Sequence, residues 1–239
     1  MTFDFSGQVA MITGASGNLG AATTQAFRAA GAKLVLVDRH EEVLEALFPD
    51  LVGDADCFMS GCADLTNPDN VSPVVQAAFE YFGRIDILAN TVGGYRAGPP
   101  IHETSVNTWD FMINLNARSV FITTQCVVPF MFRQGRGKII HLAARPGLLG
   151  RANMSAYSAS KGAVIRLTES ASAEAKEQGV NINCIVPGTL DTTANREAMP
   201  DADFGTWVKP PSLANVILFL SSDAARDIHG ATIPVYGLT

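Results

Sequence analysis

Tyr157 and Lys161 are a pair of residues in this sequence that could share a chemical task. They stand four positions apart in a segment with helical periodicity, so we expect both side chains on one face of a helix. An ammonium group beside a phenol favours the phenolate, and Lys161 is therefore expected to lower the pKa of Tyr157. A tyrosine tuned in this way can donate or accept a proton. The same spacing also occurs by chance on exposed helices, so the pair points to chemistry only beside a binding site.

A glycine-rich turn between the first predicted strand and the first predicted helix offers such a site. Glycine lets a ligand approach the backbone closely, and the start of a helix presents free N–H groups to a pyrophosphate. The turn predicts dinucleotide binding, although an ordinary α/β domain can carry a similar turn. The residues expected to contact the dinucleotide here are Gly14, Ser16, Gly17, Asn18, Leu19 and Gly20.

Asp38 ends the second predicted strand, 18 residues after Gly20. A carboxylate at this point accepts hydrogen bonds from the ribose hydroxyls of adenosine and repels a 2′-phosphate, which favours NAD(H). Arg39 beside it could hold a 2′-phosphate, so NADP(H) stays open. The other interpretation of Arg39 is a solvated side chain that stacks on adenine.

Short apolar runs alternate with helical segments along the chain, a pattern typical of parallel sheets covered on both faces. Strands are predicted at residues 8–13, 33–38, 56–64, 85–90, 138–143, 181–186 and 232–236. Helices are predicted at residues 18–30, 68–82, 106–132, 153–178 and 211–221. The expected fold is α/β: a single doubly wound, Rossmann-type domain over residues 1–239, with about seven parallel strands between two helix layers. An irregular segment at about 189–211 is the expected substrate loop.

Composition excludes several classes of protein. The chain has 239 residues, 47% of them hydrophobic, and a net charge of −6, without the basic stripe that nucleic-acid binding requires. Its longest apolar run, at 216–220, is too short for a membrane span, and the first basic residue is Arg28, which argues against a secretory signal. The four cysteines and four histidines lack ligand spacing, so no metal is expected. We expect a cytoplasmic protein that acts on a small molecule.

Over its whole length the chain resembles the short-chain dehydrogenase/reductase family. The positions that carry the resemblance are the turn at residues 14–20, Asp64, Asn90, Asn116, Tyr157 with Lys161, and Pro187 with Gly188. The resemblance implies hydride transfer, with Tyr157 exchanging the substrate proton, Lys161 binding the nicotinamide ribose and Asn116 in a proton relay. It also implies a homodimer or homotetramer built through the helices that contain Asn116 and Tyr157.

The resemblance assigns further positions to the cofactor. Asp64 and Leu65 are expected at the adenine, Asn90 near the adenosine ribose, and Thr192 at the nicotinamide carboxamide. Pro187 and Gly188 follow the sixth predicted strand and complete this cofactor-binding set.

The chain departs from the family where a serine is expected, about 13 residues before the tyrosine: Ala143 and Ala144 stand there. Loss of one donor to a developing oxyanion typically costs about 2.7 to 4 kcal/mol. Three explanations remain open. Arg145 or Asn153 replaces the serine, the substrate needs no such donor, or the protein is a nucleotide-binding pseudoenzyme.

The segment from Leu190 to Trp207 resembles the dihydropteridine reductases, a branch that pairs Tyr and Lys without the serine. A quinonoid dihydropterin is a conjugated imine, whose reduction creates no full alkoxide, so this substrate agrees with the missing hydroxyl. On this interpretation Tyr95 and Trp207 stack on a flat heterocycle and Arg96 meets a polar group of the substrate. Equally, Trp207 could close the loop on the core and Arg96 could be solvated.

Overall fold

The computed structural model describes residues 3–62 and 64–239. The strands within these residues are β1 (Val9–Thr13), β2 (Lys33–Asp38), β3 (Cys57–Gly61), β4 (Ile87–Asn90), β5 (Gly137–Leu142), β6 (Val180–Pro187) and β7 (Thr232–Val235). These seven strands form one parallel sheet in the spatial order β3-β2-β1-β4-β5-β6-β7. The predicted sheet is confirmed.

Helices cover both faces of the sheet. In the described residues they are α1 (Asn18–Ala29), α2 (Glu41–Leu47), α3 (Pro68–Phe82), α4 (Val106–Ile113), α5 (Ser119–Gln134), α6 (Ser155–Ala175), α7 (Thr193–Ala198) and α8 (Pro210–Ser221). Alternate residues of β1 face opposite layers: Ile12 packs in the cluster that includes α1 and α8, and Met11 packs in the cluster that includes α3 and α5. Burial on both faces explains the continuous apolar runs.

Several predicted boundaries were wrong. The helix predicted at 106–132 is interrupted by a π-helical turn, Asn114–Arg118, because apolar periodicity does not detect a local shift in hydrogen bonding. The short helix α2 was missed, and the segment at 189–211, predicted as irregular, contains α7. The strand predicted at 56–64 is confined to Cys57–Gly61, and Ala63 lies outside the described residues.

The strand order places a crevice beside β1. Because β2 pairs on one side of β1 and β4 on the other, the connections leave in opposite directions and open a cleft beyond the carboxyl ends of these strands. Thr13 and Asn90, which end β1 and β4, are neighbours in register at this point. In the parts of the chain that the structure describes, we find no helix with the length and apolar character to cross a bilayer.

Candidate functional site

A cleft of about 500 Å³ lies at this crevice. Its wall combines the glycine turn, the ends of β2 and β3, and the junction between α4 and α5. The lining residues are Gly14, Ser16, Asp38, Arg39, His40, Val43, Cys62, Asp64, Leu65, Thr66, Val92, Phe111, Asn114, Leu115 and Ser119. The turn, Asp38 and Asp64, which were predicted at one cofactor site, line one cleft although they are distant along the chain.

The glycine turn is shaped so that side chains cannot replace two of its glycines, Gly14 and Gly20. Gly14 has φ of 69°, and a Cβ there would lie 2.8 Å from the side chain of Val92. A Cβ on Gly20 would lie 2.0 Å from the carbonyl oxygen of Gly14. Helix α1 starts at Asn18 without a side-chain cap on its N–H groups. This turn therefore fits a dinucleotide pyrophosphate, whose oxygens can accept from the N–H groups at the helix start.

Asp38 is tied to the turn. Its Oδ2 accepts hydrogen bonds from the backbone N–H and the hydroxyl of Ser16, at 2.9 and 2.7 Å. Its Oδ1 accepts from the backbone N–H of Arg39 at 2.7 Å. These bonds hold the carboxylate in the wall of the cleft.

Asp64 and Asn90 occupy opposite environments. Asp64 is exposed, and hydrogen bonds from the hydroxyl and N–H of Thr66 hold the pKa of its carboxyl below the usual value. Asn90 is buried, and its Oδ1 accepts from the hydroxyls of Thr13 (3.1 Å) and Thr123 (2.8 Å). Its Nδ2 has no protein partner among the described residues. Asn90 therefore fixes the ends of β1 and β4 to α5.

Tyr157 and Lys161 lie on α6, as predicted, but their electrostatics differ from the prediction. Burial raises the pKa of Tyr157 to about 12, with a smaller contribution from repulsion by Tyr95. Lys161 is 2% exposed, and its Nζ donates to the carbonyl oxygen of Leu142 at 2.9 Å. Burial lowers the pKa of this lysine to about 8. The expected lowering of the tyrosine pKa was wrong, because desolvation of the phenol raises its pKa.

Asn116 connects the π turn to both sides of the site. Its Oδ1 accepts from the N–H of Gly94 at 2.9 Å, and its Nδ2 donates to the Gly94 carbonyl at 3.1 Å and to the Ser160 hydroxyl at 3.0 Å. Ser160 in turn donates to the carbonyl of Tyr157 at 2.8 Å. A Cβ on Gly93 would lie 3.0 Å from Nζ of Lys161 and 3.1 Å from Oδ1 of Asn116. The structure thus brings Asn116, Tyr157 and Lys161 together around one glycine loop.

The segment after β5 carries the two alanines that stand in place of the expected serine. Ala143 and Ala144 are both buried. A Cβ on the nearby Gly147 would lie 2.7 Å from the carbonyl carbon of Lys161, so this segment packs backbone to backbone against α6. The position that corresponds to the missing serine is therefore held firmly beside Lys161.

Other predicted residues are engaged with protein groups. Arg145 donates to the Thr239 carbonyl at 3.0 Å and lies 4.9 Å from the centre of the Tyr236 ring. The guanidinium of Arg96 stacks on Phe111 at 3.9 Å. Trp207 is buried and packs against Phe204, with ring centres 4.8 Å apart.

The remaining predicted positions lie on loops or at the ends of elements. Asn153 has φ of 62° and its carbonyl accepts from the Gly98 N–H at 3.0 Å. The hydroxyl of Thr192 accepts from the Asn195 N–H at 3.2 Å and caps α7. Pro187 ends β6, and a Cβ on Gly188 would lie 2.6 Å from the Tyr236 carbonyl oxygen.

Sequence reasoning missed two groups of the site. Ser160 stands three residues after Tyr157, a helical spacing that could have indicated its contact with the tyrosine carbonyl. Phe111 lines the cleft, and no local pattern distinguishes it from Trp109, the other aromatic residue of α4.

The comparisons with known proteins agree with this geometry. The family model described as short chain dehydrogenase matches residues 8–203. The chain is 32% identical to 3-oxoacyl-(acyl-carrier-protein) reductase FabG of Thermotoga maritima, over 97% of each protein. It is 33% identical to D-threitol dehydrogenase of Mycolicibacterium smegmatis, over 98% of this chain and 94% of that protein.

A similar solved structure is that of NAD+-bound xylitol dehydrogenase, with a TM-score of 0.89 and 26% identity over 98% of this chain and 99% of that one. The family match and the identity to two named oxidoreductases cover almost all of the chain. The chain therefore belongs to the short-chain dehydrogenase family of NAD(P)-dependent oxidoreductases.

Proposed function

We propose that this oxidoreductase uses NAD(H) and reduces a small carbonyl compound or a conjugated imine, with Tyr157 as the proton donor. The observation that carries the proposal is geometric: the loop from Gly93 to Tyr95 contacts Lys161, Asn116 and the ring of Tyr157. Like an ordinary tyrosine, Tyr157 carries its proton at neutral pH. A group that carries its proton at working pH is an acid, and an acid serves the reductive direction.

The described residues suit the cofactor. The turn at residues 14–20 would hold the pyrophosphate, and Asp38 the adenosine ribose. By the family pattern, Asp64 and Leu65 would lie at the adenine, Asn90 near the adenosine ribose, Lys161 at the nicotinamide ribose, and Thr192 with Pro187 and Gly188 at the carboxamide end. When bound, the nicotinamide ring supplies the hydride.

The carboxylate of Asp38 predicts the choice between the two cofactors. In Asp38→Ala, the ratio of kcat/KM for NADH to that for NADPH should fall about tenfold or more, because a charged hydrogen bond to the ribose is lost and repulsion of the 2′-phosphate ends. Asp38→Asn keeps an oxygen that can accept from Ser16, and we expect a similar fall of the ratio in this variant. Steady-state kinetics with both cofactors measure the ratio, and the exposed Asp227→Ala serves as control. An unchanged ratio would remove Asp38 from cofactor selection.

The reacting atom of the substrate receives its proton from Tyr157. Transfer of this proton to the substrate leaves Tyr157 as a phenolate. The charged form of Lys161, on the same face of α6, stabilises the phenolate. Asn116 holds the glycine loop and, through Ser160, the backbone at Tyr157, so the acid stays in one position. Without the serine hydroxyl at Ala144, simple ketones should react slowly.

A conjugated imine avoids this handicap, because its reduction produces no alkoxide. A quinonoid dihydropterin is the substrate of this kind that we favour, and the likeness of residues 190–207 to the dihydropteridine reductases supports it. The burial of Trp207 favours a packing role for that ring, which leaves Tyr95 as the exposed aromatic for a flat substrate. Arg96 and Arg145 would reach a substrate only by leaving Phe111 and Thr239.

Restoring a hydroxyl after β5 should change the substrate range. Ala144→Ser is expected to raise kcat/KM for simple ketones about 10- to 100-fold, because a donor to the developing oxyanion is regained. Ala143→Ser, one position away, serves as the matched control. A panel of ketones assayed with NADH measures the change. Equal ketone activity in wild type and both variants would show that the alanines do not determine the substrate.

The proposal is tested by NADH oxidation with a quinonoid dihydropterin and a panel of ketones, followed by stopped-flow absorbance. We expect turnover of the pterin well above that of every ketone. If NADH binds but no compound is reduced, the protein is a pseudoenzyme and the proposal fails.

We also propose a homodimer or homotetramer assembled through the helices around Asn116 and Tyr157. Large apolar side chains on this part of the molecule support it: Val106 is 72% exposed on α4, and Phe121 is 46% exposed on α5. An oligomer would cover such surfaces.

A further inference from the structure

Tyr95 lies directly against the tyrosine of the candidate site. Its ring centre is 4.9 Å from that of Tyr157, and the two rings meet edge to face at 86°. Tyr95 is nevertheless 61% exposed, so the rest of its side chain faces solvent at the site. An aromatic that packs on one side and is open on the other can offer its hydroxyl to a ligand.

The position of Tyr95 is fixed by the backbone next to it. The amide of Asn116 pairs with both the N–H and the carbonyl of Gly94, the residue immediately before Tyr95. A Cβ on Gly94 would meet the Leu115 side chain at 2.6 Å, so the loop also packs closely on the π turn. Tyr95 is therefore placed beside Tyr157 by the same asparagine that holds the loop at Lys161.

Compared with the family pattern, the candidate site has no serine hydroxyl after β5 but has the hydroxyl of Tyr95 beside Tyr157. Ala143 and Ala144 remove the hydroxyl from the β5 side. The loop at Gly93 and Gly94 instead brings a second phenol, that of Tyr95, against the ring of Tyr157, with ring centres 4.9 Å apart. Because Tyr95 is also largely exposed, its hydroxyl is available to a small polar group bound at Tyr157.

We propose that the hydroxyl of Tyr95 is a second hydrogen-bond donor to the reacting oxygen or nitrogen of the substrate, in place of the serine hydroxyl absent at Ala144. This inference rests on the proposed function and deepens it. Tyr95 donates a hydrogen bond and keeps its proton, while Tyr157 transfers the proton.

Tyr95→Phe tests the proposal because phenylalanine keeps the ring packing and removes only the hydroxyl. With the best substrate of the panel, kcat should fall about 10- to 100-fold, as for the loss of one donor to the reacting atom. The Kd for NADH should stay within about twofold, since Tyr95 is not among the residues that line the proposed cofactor cleft. Tyr81→Phe is the matched control: its ring also packs against another aromatic, but it lies on α3 beside Phe82.

One further readout separates donation from packing. Adding Ala144→Ser to Tyr95→Phe should restore at least about tenfold in kcat, because a hydroxyl returns to the reacting atom from the β5 segment.

An active wild type with unchanged kcat in Tyr95→Phe would overturn this inference and leave the proposed function standing. A loss in Tyr95→Phe without rescue by Ala144→Ser would also overturn it, since that result is expected of packing alone. A wild type inactive with every substrate overturns both proposals together.

Discussion

Replacement of Tyr157 by phenylalanine is expected to lower kcat about 10²- to 10⁴-fold, the range supplied by a positioned acid. Phenylalanine preserves the edge-to-face contact with Tyr95 and removes only the proton donor. Because burial raises the pKa of Tyr157 to about 12, this phenol should keep its proton throughout the neutral range in the wild type. Steady-state NADH oxidation measures the loss.

The Kd for NADH separates a chemical effect from a binding effect in this variant. We expect it to change little, since the turn and Asp38 are the groups proposed to hold the other end of the cofactor. A variant with full turnover would remove Tyr157 from the mechanism. A variant that no longer binds NADH would make the phenol a structural residue.

Lys161→Met should abolish useful turnover and at the same time stabilise the fold. Methionine has a similar length and no charge, so kcat should fall about 100-fold or more when the phenolate loses its ammonium partner. Burial lowers the pKa of Lys161 to about 8, from 10.5 for an ordinary lysine, a shift that destabilises the folded wild type by about 3 kcal/mol at pH 7. Loss of the hydrogen bond to Leu142 offsets about 1 kcal/mol of the gain.

The net gain of about 2 kcal/mol corresponds to a rise in Tm of about 4 to 8 °C at pH 7. Its pH dependence follows from the same shift. Between about pH 8 and 10.5 the unfolded chain binds more protons than the folded chain, so the wild type gains stability as pH rises through this window. The advantage of Lys161→Met should therefore shrink above pH 8.

Thermal unfolding at pH 7 and pH 10, with the exposed Lys176→Met as control, measures both effects. A Tm of Lys161→Met below that of wild type at pH 7 would contradict the account.

Those parts of the candidate site that depend on a local sequence pattern could be predicted from the sequence. The turn at residues 14–20 and the pair Tyr157 and Lys161 are short segments in which spacing alone fixes the relative position. Asp38 was found because a residue that ends a strand of a parallel sheet must face the same edge as the turn. The strands could be located for a similar reason, since burial on both faces leaves a continuous apolar run.

Other features depend on contacts between distant segments. The pKa of Tyr157 is set by the environment that the loop of Tyr95 helps to build, and no spacing rule shows how strongly a phenol is desolvated. The π turn at Asn116 breaks a helix whose apolar periodicity looked continuous. The contact between Tyr95 and Tyr157 joins residues 62 positions apart and became visible only in the folded chain.

The central claim is that this cleft supports hydride transfer completed by a proton from Tyr157. Single-turnover reactions with NADH carrying deuterium at either C4 position, followed by mass spectrometry of the product, test it most directly. The account predicts deuterium in the product of the wild type from one of the two labelled cofactors, and almost none in Tyr157→Phe. Equal labelling by the wild type and Tyr157→Phe, or no labelling by a wild type saturated with NADH across the pterin and ketone panel, would contradict it.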